Sequence, residues 1–143
     1  MENEFTPFSI ISGDAAKRVS KEKYSGKDLL VGGKADAMRH LVWQATMAKK
    51  FGPTFANLVG QWHETGLIPG WMGGAGGYFP TFTERAAKQS PIEKEQDLLN
   101  NRLGREIAEK AETQEDIYRL AEQYINEGKA TLVDPRDIPD PYY

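Results

Sequence analysis

Apolar residues recur every three or four positions along four stretches of the chain, and each stretch predicts an amphipathic helix. The first helix is predicted from Ala35 to Lys50 and the second from about Pro53 to Glu64. The third is predicted from Pro91 to about Ala111, and the fourth opens at Thr113 and stops at Gly128. The positions expected to face the core are Met38, Leu41, Val42, Ala45 and Ala48, then Phe55, Leu58, Val59 and Trp62, then Ile92, Leu99, Leu103 and Ile107 with Leu98 alongside, and finally Ile117, Leu120, Ala121, Tyr124 and Ile125.

The break Phe51-Gly52-Pro53 joins the first two helices. Glycine can adopt the left-handed conformation that ends a helix, and proline fits the first position of the next one. A connection this short predicts an antiparallel helical hairpin. Since His40 lies early in the first helix and His63 late in the second, the hairpin is expected to bring the two imidazoles together.

The predicted architecture is all-α, with this hairpin and two further helices around one core, as expected for a chain of 143 residues. Residues 1–34 are interpreted as an N-terminal arm, anchored by Phe5, Phe8, Ile10 and Ile11, with a short helix after Asp14. Residues 35–128 form the helical domain. It contains a loop at 65–83 with six glycines, which is too apolar for a solvated linker. The proline-rich tail at 129–143 is predicted to be extended.

Charge and composition exclude several classes of protein. A net charge of −3 with scattered lysines and arginines argues against general nucleic-acid binding. The absence of cysteine excludes disulfides and thiol chemistry, and no apolar run is long enough for a membrane span. The N-terminus lacks the features of a signal peptide, so synthesis in the cytoplasm is expected, with later virion association or delivery left open.

The first candidate group lies at the start of the first helix. Asp36 and His40 are four residues apart and therefore share a helix face, where the carboxylate can orient the imidazole. Arg39, three residues after Asp36, can instead pair with the same carboxylate. The alternative to a functional site is an ion pair beside a partly buried histidine.

The second candidate group, His63-Glu64, lies where the second helix meets the glycine-rich loop. A glutamate beneath an apolar loop is in an environment that suits a general acid or base, so Glu64 is the predicted catalytic residue with His63 and His40 in support. A single divalent metal ion held by His40, His63 and a carboxylate is the weaker form of this hypothesis, because the spacing matches no standard motif.

The third predicted helix carries a polar row, Asp97, Asn101 and Arg105, at spacings of four. Asparagine is unfavourable within helices, yet Asn100 and Asn101 both occur there, and Gly104 adds a further cost of up to about 1 kcal/mol. Such residues indicate either a buried polar network with close helix contact or a binding site, and the pattern leaves both open.

Several blocks of the chain resemble a recurring all-helical domain in toxin-like C-terminal regions of bacterial surface and secreted proteins and in phage genes. The blocks are A-D-A-x-R-H-x-x-W-Q-A at 35–45, the Phe51-Gly52 break, W-H-E at 62–64 and D-L-L-N-N-R-L-G-R-E at 97–106. The resemblance covers about 35–111 and implies a polar site without naming its reaction. The residues it implicates are Asp36, Arg39, His40, His63, Glu64, Asp97, Asn100, Asn101 and Arg105.

A shorter stretch, V-G-Q-W-H-E-T-G at 59–66, is similar to the catalytic-glutamate segment of family 19 chitinase-type, lysozyme-fold enzymes. This likeness implies that Glu64 protonates a glycosidic oxygen in peptidoglycan or chitin. A second carboxylate would then be required, and Glu84 and Asp97 are the candidates.

Two functions follow as hypotheses. The first is a small hydrolase of a peptidoglycan-type cell-envelope polymer, associated with phage or toxin systems, with Glu64 as general acid or base and either no metal or one divalent ion. The second is a non-catalytic structural or binding protein of a virion or secretion system. In that case the N-terminal arm and residues 129–143 dock other protein subunits.

Overall fold

The computed structural model of the protein describes residues 4–29, 32–65 and 91–132, with the backbone alone described at positions 64 and 65. Every regular element in these ranges is helical, which confirms the all-α class. In chain order they are α1 (Pro7–Ser12), α2 (Asp14–Lys23), a 3₁₀ helix (Gly26–Leu29), α3 (Lys34–Phe51), α4 (Pro53–Thr65), α5 (Pro91–Lys110) and α6 (Gln114–Asn126). None of the helices described there is long and apolar enough to cross a bilayer.

Helix α3 is the centre of the fold. It packs against α2, α4, α5 and α6. From Ala35 to Ala48 every residue except Arg39 is buried. A helix surrounded in this way is expected to be apolar on every side. Its small and apolar residues fit that environment, so the face in contact with the protein is wider than the predicted stripe.

The predicted hairpin is confirmed. Gly52 ends α3 with a φ of 92°, and Pro53 begins α4. On α4, Val59 is buried, whereas Leu58 is 43% exposed and does not belong to the core. The predicted glycine-rich loop, after the last residue of α4, lies outside the described residues.

Helix α5 turns its polar side inward, which corrects the predicted core face. Ile107 is fully buried as expected, but Ile92, Leu98 and Leu99 are exposed. The buried positions are instead mostly polar or small: Glu93, Gln96, Asp97, Asn100, Asn101, Gly104 and Ala108. The prediction was based on apolar spacing alone, which favours the opposite face. It left out the buried polar side chains of α3, against which the polar side of α5 packs.

The short helix predicted after Asp14 is confirmed as α2, but the N-terminal segment is more regular than the predicted arm because α1 precedes that helix. Of its predicted anchors, Ile10 is buried and Ile11 half-buried, while Phe5 and Phe8 are exposed, the latter by 72%. The two helices meet at Gly13, whose φ of 77° favours glycine. The extended tail predicted at 129–143 lies outside the described residues beyond position 132.

Two glycines allow three helices to approach one another closely. A Cβ built on Gly104 of α5 would lie 2.7 Å from the backbone oxygen of Leu41 on α3. A Cβ on Gly60 of α4 would lie 2.6 Å from Nε2 of Gln44, also on α3. Helix α5 therefore contacts α3 almost backbone to backbone, whereas Gly60 makes room on α4 for the side chain of Gln44.

We predict that Gly104→Ala destabilises the protein by about 1–3 kcal/mol, because the new methyl group meets a backbone atom that cannot move aside. Thermal or urea unfolding measures this change. The exposed Glu109→Ala on the same helix is the control and should stay within about 0.5 kcal/mol of the parent. Helix propensity alone predicts stabilisation of Gly104→Ala by up to about 1 kcal/mol, so that result would contradict the close approach.

Glu106 connects α5 to the end of α6. Hydrogen bonds from Lys110, Lys129 and Tyr124 lower the pKa of this carboxyl from its ordinary 4.5 to about 2. A lowered folded-state pKa contributes stability above pH 4.5 that is lost as the pH falls towards 2. Acid titration of Glu106→Gln should therefore show a stability deficit at neutral pH that vanishes near pH 2. Glu109→Gln is the control, and a deficit independent of pH would contradict this interpretation.

Candidate functional site

His40 lies between α3 and α5 with both ring nitrogens facing protein groups. Its Nδ1 is 2.9 Å from Oδ1 of Asn101, and its Nε2 is 3.2 Å from Oδ1 of Asp97. Oδ1 of Asp36 lies 3.8 Å from the same Nε2. The ring is only 3% exposed, so these are buried interactions.

The partners of His40 indicate where its protons lie. An amide oxygen can only accept, so Nδ1–H donates to Asn101 in this arrangement. Nε2 then faces two carboxylate oxygens, which favours a positive charge at this position. A proton on Nε2 supplies that charge, and so would a cation bound by the ring and the two carboxylates together.

Asp36 has more than one partner. Its Oδ2 accepts a hydrogen bond of 3.0 Å from the backbone N–H of Gly32, and its Oδ1 contacts the guanidinium of Arg39. Both readings of the sequence spacing therefore apply, since Arg39 pairs with Asp36 while His40 lies next to it. The nearer carboxylate of His40 is Asp97 on α5.

The expected proximity of the two histidines is confirmed. The ring centroids of His40 and His63 are 6.2 Å apart, in an edge-to-face arrangement. The ring of Trp43 lies 5.2 Å from His63, and its Nε1–H donates to the backbone oxygen of Ile11 at 2.9 Å. Trp43 thereby connects the histidine pair to the end of α1.

A cavity of about 120 Å³ opens beside these rings. His40 and Trp43 form its buried wall, and the half-buried His63 and Arg39 lie closer to solvent. Its lining among the described residues is Ile11, Ser12, Gly13, Lys17, Arg39, His40, Trp43 and His63. Residues of the N-terminal segment, which was predicted as an arm with one short helix, therefore complete the lining.

Of the remaining predicted site residues, Asn100 and Arg105 bind groups other than His40. Asn100 turns away from His40 and binds the backbone of Thr131, donating at 2.9 Å and accepting at 2.8 Å. Arg105 donates to Oε1 of Gln44 at 3.1 Å, one turn away from His40, and burial lowers its pKa. The side chain of Glu64 lies outside what the structure describes, so its predicted role is not placed.

Two buried glutamines were missed by sequence reasoning. Gln44 donates to the backbone oxygen of Ala56 on α4 and accepts from Arg105 on α5. Gln96 donates to the backbone oxygens of Gly32 and Thr131. A signal for Gln44 was present, because it follows Asp36 and His40 at the same spacing of four.

One group suited to metal binding occurs among the described residues. Ligand atoms of Asp36, His40 and Asp97 all lie within 4.8 Å of one another. Two carboxylates and an imidazole are a ligand type used for zinc and other divalent ions. The hydrogen bond from Nδ1 to Asn101 would orient the ring for such a role. His63, predicted as a ligand with His40, is not part of this group.

We predict that Asn101→Ala destabilises the protein by about 1–3 kcal/mol, because it leaves the buried Nδ1–H of His40 without an acceptor. It should also shift the ring nitrogen resonances of His40, assigned by comparison with His63→Ala. The neighbouring Asn100→Ala is the matched control, since it removes only the bonds to Thr131. An equal shift in both variants, or in neither, would contradict the assigned partner.

Comparison with known proteins places the chain in a family. No curated protein and no solved structure matches it. The family described as "Domain of unknown function (DUF6973)" matches residues 6–129, which include every described element of the site. Because that match spans most of the chain, the protein belongs to the DUF6973 family.

Proposed function

We propose that the protein is a small hydrolase in which His63 transfers a proton to or from the substrate at the cavity. Asp36, His40 and Asp97 form a buried cluster that supports it. One observation carries this proposal: both nitrogens of His40 face protein groups, whereas His63 is half-buried beside the cavity. His40 is thus in a supporting position. Glu64, which follows His63 directly, keeps its predicted role as general acid or base within the proposal.

The chemistry follows from what hydrolysis requires. One group must take a proton from the attacking water and one must give a proton to the leaving group. An imidazole can do both near neutral pH, and His63 lies where a bound substrate can be reached. His40 and its two carboxylates keep a fixed charge distribution behind the reacting groups, which is the kind of preorganisation that stabilises a transition state.

The supporting cluster has two forms within this proposal. In the metal-free form His40 carries a proton on each nitrogen and the two carboxylates balance its charge together with Arg39. In the second form Asp36, His40 and Asp97 would hold one divalent ion, which supplies Lewis-acid activation of water or of a carbonyl or phosphoryl oxygen. The ion is assigned to Asp36, His40 and Asp97 and not to the pair His40 and His63, because the former are a ligand group among the described residues.

The proposed substrate class is a peptidoglycan-type cell-envelope polymer. Its support comes from the two sequence resemblances, to toxin-like or phage-associated domains and to the glutamate segment of lysozyme-fold enzymes. Delivery from a virion or from a producing cell fits the same resemblances.

A structural role is the second candidate, and a specific observation favours it. Gln96 binds the backbone of Gly32 and Thr131, and Asn100 binds that of Thr131, so part of the buried polar side of α5 holds the segments that flank the helical body. On this reading the whole row serves packing. The N-terminal segment and residues 129–143 would then dock other subunits of a virion or secretion system.

Turnover and stability measured together separate the two candidates. We predict that His63→Ala and Glu64→Gln lower peptidoglycan degradation by about 100-fold or more, as expected for loss of acid–base catalysis. Because His63 is only half-buried, His63→Ala should change the unfolding free energy by about 1 kcal/mol or less. The control is Glu109→Gln, on the exposed side of α5, which should change neither quantity.

Absence of turnover in every version, with a large loss of stability in His63→Ala, would reject the hydrolase and support the structural role. Elemental analysis and a thermal shift with Zn²⁺, Mn²⁺ or a chelator test the metal form. One equivalent of ion that is lost in Asp97→Asn would support it. No bound ion and no shift would leave the metal-free form.

A further inference from the structure

We infer that the cavity beside His40 binds an oxyanion, a carboxylate or phosphate group, through the ammonium group of Lys17 on α2. The inference goes beyond the acid–base chemistry and names what the substrate must carry. It rests on the proposed function only where it assigns that group to a substrate, because the binding itself requires no reaction.

The cavity is larger than the space that one ordered water molecule needs. One ordered water needs only about 10–15 Å³ of such space. The cavity offers about 120 Å³, which is room for a carboxylate or phosphate group. The buried rings of Trp43 and His40 form one side, and Ile11 with Gly13 the other, so the bound group would be partly removed from water.

The charges around the cavity favour an anion. Lys17 and Arg39 both line it, and none of its described lining residues is acidic. Arg39 already shares the carboxylate of Asp36, whereas Lys17 forms no ion pair with any described residue. Lys17 therefore contributes a positive charge that no carboxylate of the described residues pairs with, and walls of low polarity strengthen its attraction for an anion.

Among the described residues, the carboxylates near the cavity have partners of their own. Asp14 accepts a hydrogen bond of 3.2 Å from the hydroxyl of Ser12, and it lies outside the lining. Asp36 and Asp97 face Nε2 of His40, and neither belongs to the lining. The cavity thus has cations at its opening and an imidazole at its base, which is a suitable arrangement for an oxyanion beside a proton-transfer group.

The position of the cavity limits how far the bound oxyanion can lie from the reacting bond of a substrate. His63 lines the same space, so the anchored group must lie within a few bonds of the scissile one. A carboxylate of a peptidoglycan stem peptide satisfies this condition, and so does the phosphate of a phosphodiester. The two sources share the recognition chemistry and are told apart by the choice of probe.

Titration with sodium phosphate and, separately, sodium acetate tests the inference on the full chain at constant ionic strength, with chloride as the reference anion. The signal is the indole N–H of Trp43, assigned with Trp43→Phe, because this group binds Ile11 at the cavity wall. We expect saturable shifts in the parent protein. Lys17→Gln should weaken the affinity about tenfold, the loss expected for one charge-assisted contact.

Lys21→Gln is the matched control, since Lys21 lies one turn further along α2, is exposed and does not line the cavity. It should bind like the parent. Saturation by phosphate alone supports a phosphate-bearing substrate, and saturation by acetate alone supports a carboxylate.

Absence of saturable shifts with both anions, or equal affinity in Lys17→Gln and Lys21→Gln, overturns the inference. Binding that persists without any detectable turnover leaves the oxyanion site in place and rejects only the hydrolase. Turnover without anion binding would reject the oxyanion site and leave the hydrolase in place.

Discussion

The close packing of two polar helix faces determines the rest of this structure. The amide of Gln44, fully buried on α3, lies against Gly60 of α4 and bonds both α4 and α5. Gly104 lets α5 approach the same turn of α3. With the helix axes this close, the side chains one turn earlier are held at hydrogen-bond distance, and His40 meets residues of α5 as a consequence.

Such a row of buried polar pairs fixes the alignment of α3 with α5. An apolar interface can slide by a turn with little change in contact, whereas a buried polar group that loses its partner costs about 1–3 kcal/mol. His40 with Asn101 and Gln44 with Arg105 are two such pairs, four residues apart on each helix. The same interactions that specify packing therefore hold the imidazole in one orientation, which a catalytic site and a structural network both require.

Local patterns were sufficient to predict α2 to α6 to within a few residues, and the meeting of the two histidines, but not α1 or the 3₁₀ helix. The capping pair Thr113 and Asp116, for example, starts α6 as its spacing predicts. For the buried face of α5 the sequence contains two conflicting signals. Its leucines marked one face as core, whereas its asparagines and Gly104 indicated close burial of the other, and the polar row on α3 explains why the second face is buried. Helical spacing also contains no information on Asp97 approaching His40, because that contact depends on how two separate helices align.

The hydrogen bonds at Thr131 extend the cooperative unit beyond its last helix. The family match ends at residue 129, yet Asn100 and Gln96 both form hydrogen bonds with the backbone at position 131. Gln96 also holds Gly32, just before α3, so a single side chain joins the entry and exit of the helical body. Shortened or fused versions of the protein must retain this residue, or the neighbours of Asp97 on α5 lose their anchorage.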